Sequence, residues 1–340
     1  MIDALDRDPE QAVTRYNVLA LSGGGFRGLF SAVVLERFEA DLRSRNPAGS
    51  AVKLRDQFDL VAGTSVGGLL ATGIALGIPA EVLRKQLMQA SSEIFPPKRF
   101  KKFRQVFGNL YDTRDLSNAI ESCISTENLN RLLTDVDYPL LVPAVSGLTA
   151  QPKIFGSRGL FGTNASKVSL RDMCLATAAA PTYFKPHSID GDRVLDGGLI
   201  ANAPDLLAVS ATMKRWGVPL EQVYVLSIGT AGIGFGTMAG SVPMSGIGWG
   251  RKLKFIDFMM AAQEQLALQT CRSMLGSRFL RINHEPGKDQ KELSELDVVN
   301  ASISDTLRGL AVQAIDRTLD SDQRAKYDAF LTYRQAFAGS

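Results

Sequence analysis

Gly63-Thr64-Ser65-Val66-Gly67 fits the pattern G-x-S-x-G, with an apolar run from Phe58 before it and a helical pattern after it. In that context a serine is held on a tight strand-to-helix elbow, its hydroxyl exposed above the sheet. The flanking glycines remove side chains that would collide in the turn. The helix that follows adds unpaired N–H groups and the positive end of its dipole. A glycine-rich turn with an N-capping serine is the simpler alternative. A serine nucleophile needs a base, and the chain has only two histidines, His187 and His284. Ser65, Asp196 and His284 satisfy on paper the chain order of one class of triad hydrolases. Against it, Ser65 falls at the second strand, too early for that fold, and His284 is expected in an exposed polar loop. Asp196 is the better base. It ends an apolar strand in "RVLDGGLIANAP", and Gly197 and Gly198 after it allow close approach. An aspartate is weak as a base near neutral pH, so it must lie within hydrogen-bond reach of the hydroxyl. "DGG" reads equally as a plain tight turn.

A second loop belongs to the same chemistry. "SGGGFRG", with Gly23, Gly24, Gly25, Arg27 and Gly28, fits G-x-G-x-x-G between a strand and a helix, the setting of a dinucleotide phosphate cradle. That use calls for an acid at the end of the second strand, where "LVAGTS" has none; Glu36, Glu39 and Asp41 fall within the helix. The same backbone N–H groups can instead stabilise the oxyanion of an acyl-transfer intermediate, with Arg27 adding positive charge.

The elements that must position these residues form an α/β pattern. Apolar strands are expected at 16–22, 58–63, 140–146, 152–157, 223–230 and 279–283. Helices are expected at 29–43, 66–76, from Pro79, and at 169–178, 203–215, 253–276, 305–319 and 321–337. Interleaving of this kind implies a largely parallel sheet covered on both faces. The apolar stripe Phe255, Phe258, Met259, Ala262 and Leu266 of the 253–276 helix reads as core.

With 340 residues and 45% hydrophobic content, the chain can bury a large core, and a net charge of +3 gives no ground for a nucleic-acid partner. Cys123, Cys174 and Cys271 are widely spaced in apolar contexts, which favours buried reduced thiols over disulfides or zinc. No secretory signal or membrane-spanning run is evident, so a cytoplasmic protein is expected. Two stretches stand apart. "FPPKRFKKFRQVF", 95–107, holds five basic residues and four phenylalanines, and 229–250 has eight glycines in 22 residues. Lys98, Arg99, Lys101 and Lys102 suit an anionic lipid surface or nucleotide phosphates, or simply a solvated helix face.

The ordered set "SGGGFRG", "GTSVGG" and "DGG", with the alanine-rich block "ATAAAPTYFKP" at 176–186, resembles the patatin-like phospholipase family. The resemblance implies a three-layer α/β fold with a mainly parallel central sheet, its catalytic core over 18–210. A C-terminal extension, 211–340, completes the same unit, with lid or regulatory elements at 229–276. It implies a Ser–Asp dyad of Ser65 and Asp196, an oxyanion hole of Gly23, Gly24 and Gly25 with Arg27, and no metal or other cofactor. The reaction implied is hydrolysis of carboxylic esters in membrane glycerophospholipids at the inner face of the membrane. A narrower resemblance, at "FMMAAQEQ" (258–265), is to effectors of cyclic-oligonucleotide-based anti-phage systems, which implies activation by a cyclic dinucleotide. A lipase without nucleotide gating, a non-catalytic member and a nucleotide-binding protein remain as alternatives, and a homo-oligomer is compatible with any of them.

Overall fold

The computed structural model describes residues 15–46, 52–94, 111–157, 159–160, 167–232, 252–284 and 301–333. The basic stretch 95–107, and 233–250 of the glycine-rich stretch, lie outside the described residues. Among the described residues there are eight strands: β1 (Tyr16–Leu21), β2 (Leu60–Gly63), β3 (Leu140–Ser146), β4 (Pro152–Gly156), β5 (His187–Ile189), β6 (Asp192–Asp196), β7 (Val223–Ile228) and β8 (Phe279–Ile282). They form one sheet in the order β5-β6-β3-β2-β1-β7-β8, with β4 also on β3. The run β3-β2-β1-β7-β8 is parallel. The remaining pairs, β3 with β4, β3 with β6 and β5 with β6, are antiparallel.

Every residue of β1 is buried, as expected of a central strand covered on both faces. One face packs on helices α1 (Gly28–Arg45), α2 (Val66–Ala75) and α3 (Ala80–Ile94), and on helices Thr113–Cys123, Leu170–Thr177 and Ala301–Leu319. The other packs on helices Asp205–Trp216 and Lys252–Leu275. This is the three-layer fold implied by the motifs.

The edge of β3 explains why distant segments meet. β3 pairs with β2 at Leu140 and Leu141, then with β6 at Ala144 to Ser146, while β4 occupies the opposite edge. β2 and β6 therefore share one edge of β3 in succession and run toward each other. The end of β2 delivers Ser65, and the end of β6 delivers Asp196. Pro143 lies where one partner gives way to the other, and its carbonyl accepts from Thr177 Oγ1 at 2.7 Å.

Several elements differ from expectation. The three-residue β5 and the helix Thr113–Cys123 were not anticipated. The latter starts on Asp112, whose side chain accepts from the Arg114 N–H, and buries Leu116, Ala119, Ile120 and Cys123. The final helix spans Arg324–Leu331, because a turn closed by Arg324 N–H on Ser321 O precedes it. The described part of the stripe on helix Lys252–Leu275 is not core: Met259 is 52% and Leu266 67% exposed, Ala262 is exposed and Phe258 half-buried, while the Phe255 side chain lies outside the described residues. The helix instead turns Leu268, Cys271 and Leu275 inward, at the i, i+3, i+7 spacing of one face. His284 is buried rather than exposed, with its Nδ1 3.1 Å from Arg317 Nη1.

Candidate active site

Ser65 occupies the turn between β2 and α2 with φ 54° and ψ −124°. A non-glycine residue in that region is strained, and the strain must be held by its surroundings. Two close approaches enforce the turn. A β-carbon on Gly63 would fall 2.0 Å from the Gly67 carbonyl oxygen, and one on Gly67 would fall 2.4 Å from that of Leu21. Glycine is required at both positions because backbone passes where a side chain would be. The Ser65 N–H donates to Thr177 Oγ1 at 3.0 Å, so the Thr177 hydroxyl ties the elbow to Pro143 at the β3 switch.

Asp196, 2% exposed, ends β6 beside this elbow. Burial pushes its carboxyl up from 3.8 to about 7, against hydrogen bonds from the Gly198 N–H and the Ser65 side chain. The Gly198 N–H lies 2.6 Å from Oδ1. A carboxylate with an affinity for protons near neutrality is far better matched to general-base work than an exposed aspartate. Gly197 packs its α-carbon against Pro143, where a β-carbon would lie 2.2 Å from the carbonyl oxygen.

The glycine loop closes the third side. A β-carbon on Gly23 would fall 3.3 Å from Ser65 Cβ and 2.5 Å from Asn202 Oδ1, and one on Gly28 2.5 Å from a methyl of Val66. The loop is thus packed on the serine elbow. Its amides are not equivalent. The Gly23 N–H donates to the Asn202 carbonyl at 2.9 Å, so it is not available to an oxyanion as expected. The amides of Gly24 and Gly25 have no acceptor among the described residues. Arg27 Nε turns back to the Gly24 carbonyl at 3.4 Å, and its guanidinium lies beside Gly232.

Both histidines are engaged elsewhere. His187 Nε2 is 2.9 Å from Asp172 Oδ1, and this pairing holds the Asp172 carboxyl below its ordinary value. The triad with His284 therefore has no support in the geometry, since His284 is bound to Arg317 beyond the end of β8. Among the described residues, no group of three or more His, Cys, Asp or Glu could hold a metal ion. No described helix is long and apolar enough to cross a membrane.

Sequence reasoning missed a set of side chains that surround the site. Asn202 Nδ2 donates to Glu264 Oε2 at 2.7 Å and lies 3.4 Å from the Gly23 carbonyl. Thr230 Oγ1 also reaches that carbonyl, at 3.3 Å, and Thr64 Oγ1 donates to the Ala201 carbonyl at 2.6 Å. Gln263 Nε2 donates to the Gly198 carbonyl at 2.9 Å. "ANAP" around Asn202 and "QEQ" around Gln263 and Glu264 carry polar residues in apolar surroundings, the one local signal that pointed to them.

A family model described as patatin-like phospholipase matches residues 19–209. The chain is 33% identical over 311 residues to a cGAMP-activated phospholipase of Pseudomonas aeruginosa, covering 90% of each chain. It is 31% identical to a cGAMP-activated phospholipase of Vibrio cholerae, covering 76% of this chain and 77% of that one. It is 31% identical to Patatin-07 of Solanum tuberosum, covering 65% and 61%. The matched span holds the serine elbow, the glycine loop and the aspartate turn in one frame. This chain belongs to the patatin-like phospholipase family.

Proposed function

We propose that this protein hydrolyses carboxylic esters of membrane glycerophospholipids, with Ser65 as nucleophile and Asp196 as its base, under the control of a cyclic dinucleotide. The observation that carries the reading is the strained Ser65 at the β2–α2 elbow, set beside a buried Asp196 whose carboxyl is raised to about 7. Asp196 accepts the Ser65 hydroxyl proton as Oγ attacks the ester carbonyl. The negative charge that develops on the carbonyl oxygen is met by the Gly24 and Gly25 N–H groups, with Gly23 fixing the loop rather than donating. Collapse breaks the ester C–O bond, and the leaving alkoxide takes the proton from Asp196. Water then attacks the acyl-serine, giving its proton to Asp196, and release of the fatty acid returns the proton to Ser65. No histidine is needed.

Nucleotide control rests on two similar bacterial proteins that carry cGAMP activation in their names, one matching 90% of this chain. In that reading the enzyme is an anti-phage effector that degrades the inner face of the cell's own membrane. The test is fatty-acid release from phosphatidylethanolamine–phosphatidylglycerol vesicles, with and without a panel of cyclic dinucleotides. Release that depends on one nucleotide, and is lost in Ser65→Ala and Asp196→Asn, supports both halves. Equal release without nucleotide leaves a hydrolase without gating. No release under any condition contradicts the whole reading.

A further inference from the structure

Helix Lys252–Leu275 packs beside the dyad through polar contacts from Gln263 and Glu264 as well as the apolar ones of Leu268, Cys271 and Leu275. Glu264, 20% exposed, is bonded on one side to Arg281 Nη2 at 3.0 Å, and Arg281 is itself only 8% exposed. On the other side Glu264 Oε2 accepts from Asn202 Nδ2 at 2.7 Å. Both partners hold the start of the glycine loop. Arg281 Nη1 donates to Ser22 Oγ at 2.9 Å and to Ser227 Oγ at 2.8 Å. Asn202 supplies its main-chain carbonyl to the Gly23 N–H and its Nδ2 to the Gly23 carbonyl.

The orientation of the Asn202 amide decides what this contact does. Its Oδ1 is buried and has no hydrogen-bond partner among the described residues. Only the Nδ2 side is held, by Glu264 and the Gly23 carbonyl. A carboxylate at 264 is acceptor-only and therefore allows one orientation of the amide. Paired with Arg281, it also escapes the cost of an isolated buried charge. Asp205, fully buried at the start of helix Asp205–Trp216, feels the same guanidinium, which opposes the rise that burial gives its carboxyl. Arg281 thus serves two carboxylates and the loop.

We propose that Glu264 is a positioning residue for the oxyanion loop, acting through Asn202 and Arg281 on Ser22 and Gly23. It sets the placement of the Gly24 and Gly25 amides without touching substrate. The inference goes beyond the dyad but rests on the hydrolase reading for its kinetic readout. A displacement of the helix is passed to that loop through the hydrogen bonds that join Glu264 to Asn202 and Asn202 to Gly23. Gln263 and Met260 fasten the same helix to Gly198, whose β-carbon would fall 2.5 Å from Met260 Cε.

The test combines kinetics with amide exchange. In the nucleotide-activated protein, Glu264→Ala and Asn202→Ala should each lower kcat by about 10- to 100-fold, with KM changed less than about twofold. The double variant should be no slower than the slower single one, because both act on one link. Hydrogen exchange of the peptide covering residues 19–30 should rise in each variant. If Glu264→Ala fails to fold because Arg281 is left unpaired, Glu264→Gln keeps the volume. It should still lower kcat, since a glutamine amide facing Asn202 turns its side chain over. Unchanged kcat and unchanged loop exchange overturn the proposal, as does a double variant whose loss is the product of the singles. If the wild type releases no fatty acid, the hydrolase reading fails, and loop exchange alone decides whether Glu264 holds the loop.

Discussion

Replacing Asp196 by asparagine should make the protein more stable at alkaline pH while removing its activity. The wild-type carboxyl is 2% exposed and raised from 3.8 to about 7 by burial. Between those values the folded protein holds a proton that the unfolded chain has released. The folded state therefore binds more protons in this window, and stability falls as pH rises through it. Below pH 4 both states are protonated and the burden disappears. Asparagine keeps the shape and an acceptor for the Gly198 N–H but carries no charge at any pH. From pH 5 to pH 8.5 the wild type traverses about two pH units of this window, at about 1.4 kcal/mol each. The stability advantage of Asp196→Asn should therefore widen by about 3 kcal/mol. Urea unfolding followed by circular dichroism at the two pH values measures it, with equal m-values as the check on two-state behaviour. A gap that stays flat within about 1 kcal/mol would refute the claim that burial, rather than compensating hydrogen bonds, governs this carboxylate.

Other consequences are simpler. Thr177→Val leaves the Pro143 carbonyl and the Ser65 N–H without the hydroxyl that joins them; it should cost about 1–3 kcal/mol in chemical denaturation and lower kcat more than it raises KM. Gly23→Ala places a methyl against Asn202 Oδ1 and Ser65 Cβ and displaces the loop that carries the Gly24 and Gly25 amides, so fatty-acid release should fall about 100-fold, the scale of losing one of those donors. Cys123, Cys174 and Cys271 are all buried and none is in a disulfide, with burial pushing Cys174 and Cys271 up to about 12. A chromogenic disulfide reagent should therefore titrate these thiols rapidly only after denaturation.

The serine elbow, the glycine loop and the aspartate turn were legible because each is local, a few residues whose types serve one backbone geometry. What brings them together was not. The succession of β2 and β6 along one edge of β3 depends on pairing between segments more than 40 residues apart, and Pro143 within β3 argues against a central strand on local grounds. β5 has three residues, too few to show alternation. Asn202, Glu264 and Arg281 are joined across 62 and 17 residues of chain, and a buried polar pair leaves no periodic trace. The apolar stripe at Met259 and Leu266 misled for the same reason. The orientation of that helix follows Glu264, Leu268, Cys271 and Leu275, one polar residue and three apolar ones on a single face. His284 was misplaced because its polar neighbours concealed the bond to Arg317. Helix Thr113–Cys123, by contrast, carried a readable signal in its Asp112 cap and its i, i+3, i+4, i+7 apolar spacing.

The central claim is that Ser65 becomes covalently acylated with Asp196 as its base. Intact-mass and peptide mass spectrometry after reaction with a fluorescent fluorophosphonate, in the presence of the activating nucleotide, tests it most directly. One adduct per chain, mapped to Ser65, absent in Ser65→Ala and formed at least about 100-fold more slowly in Asp196→Asn, is the predicted result. An adduct on another residue, or labelling of Asp196→Asn at the wild-type rate, would contradict it.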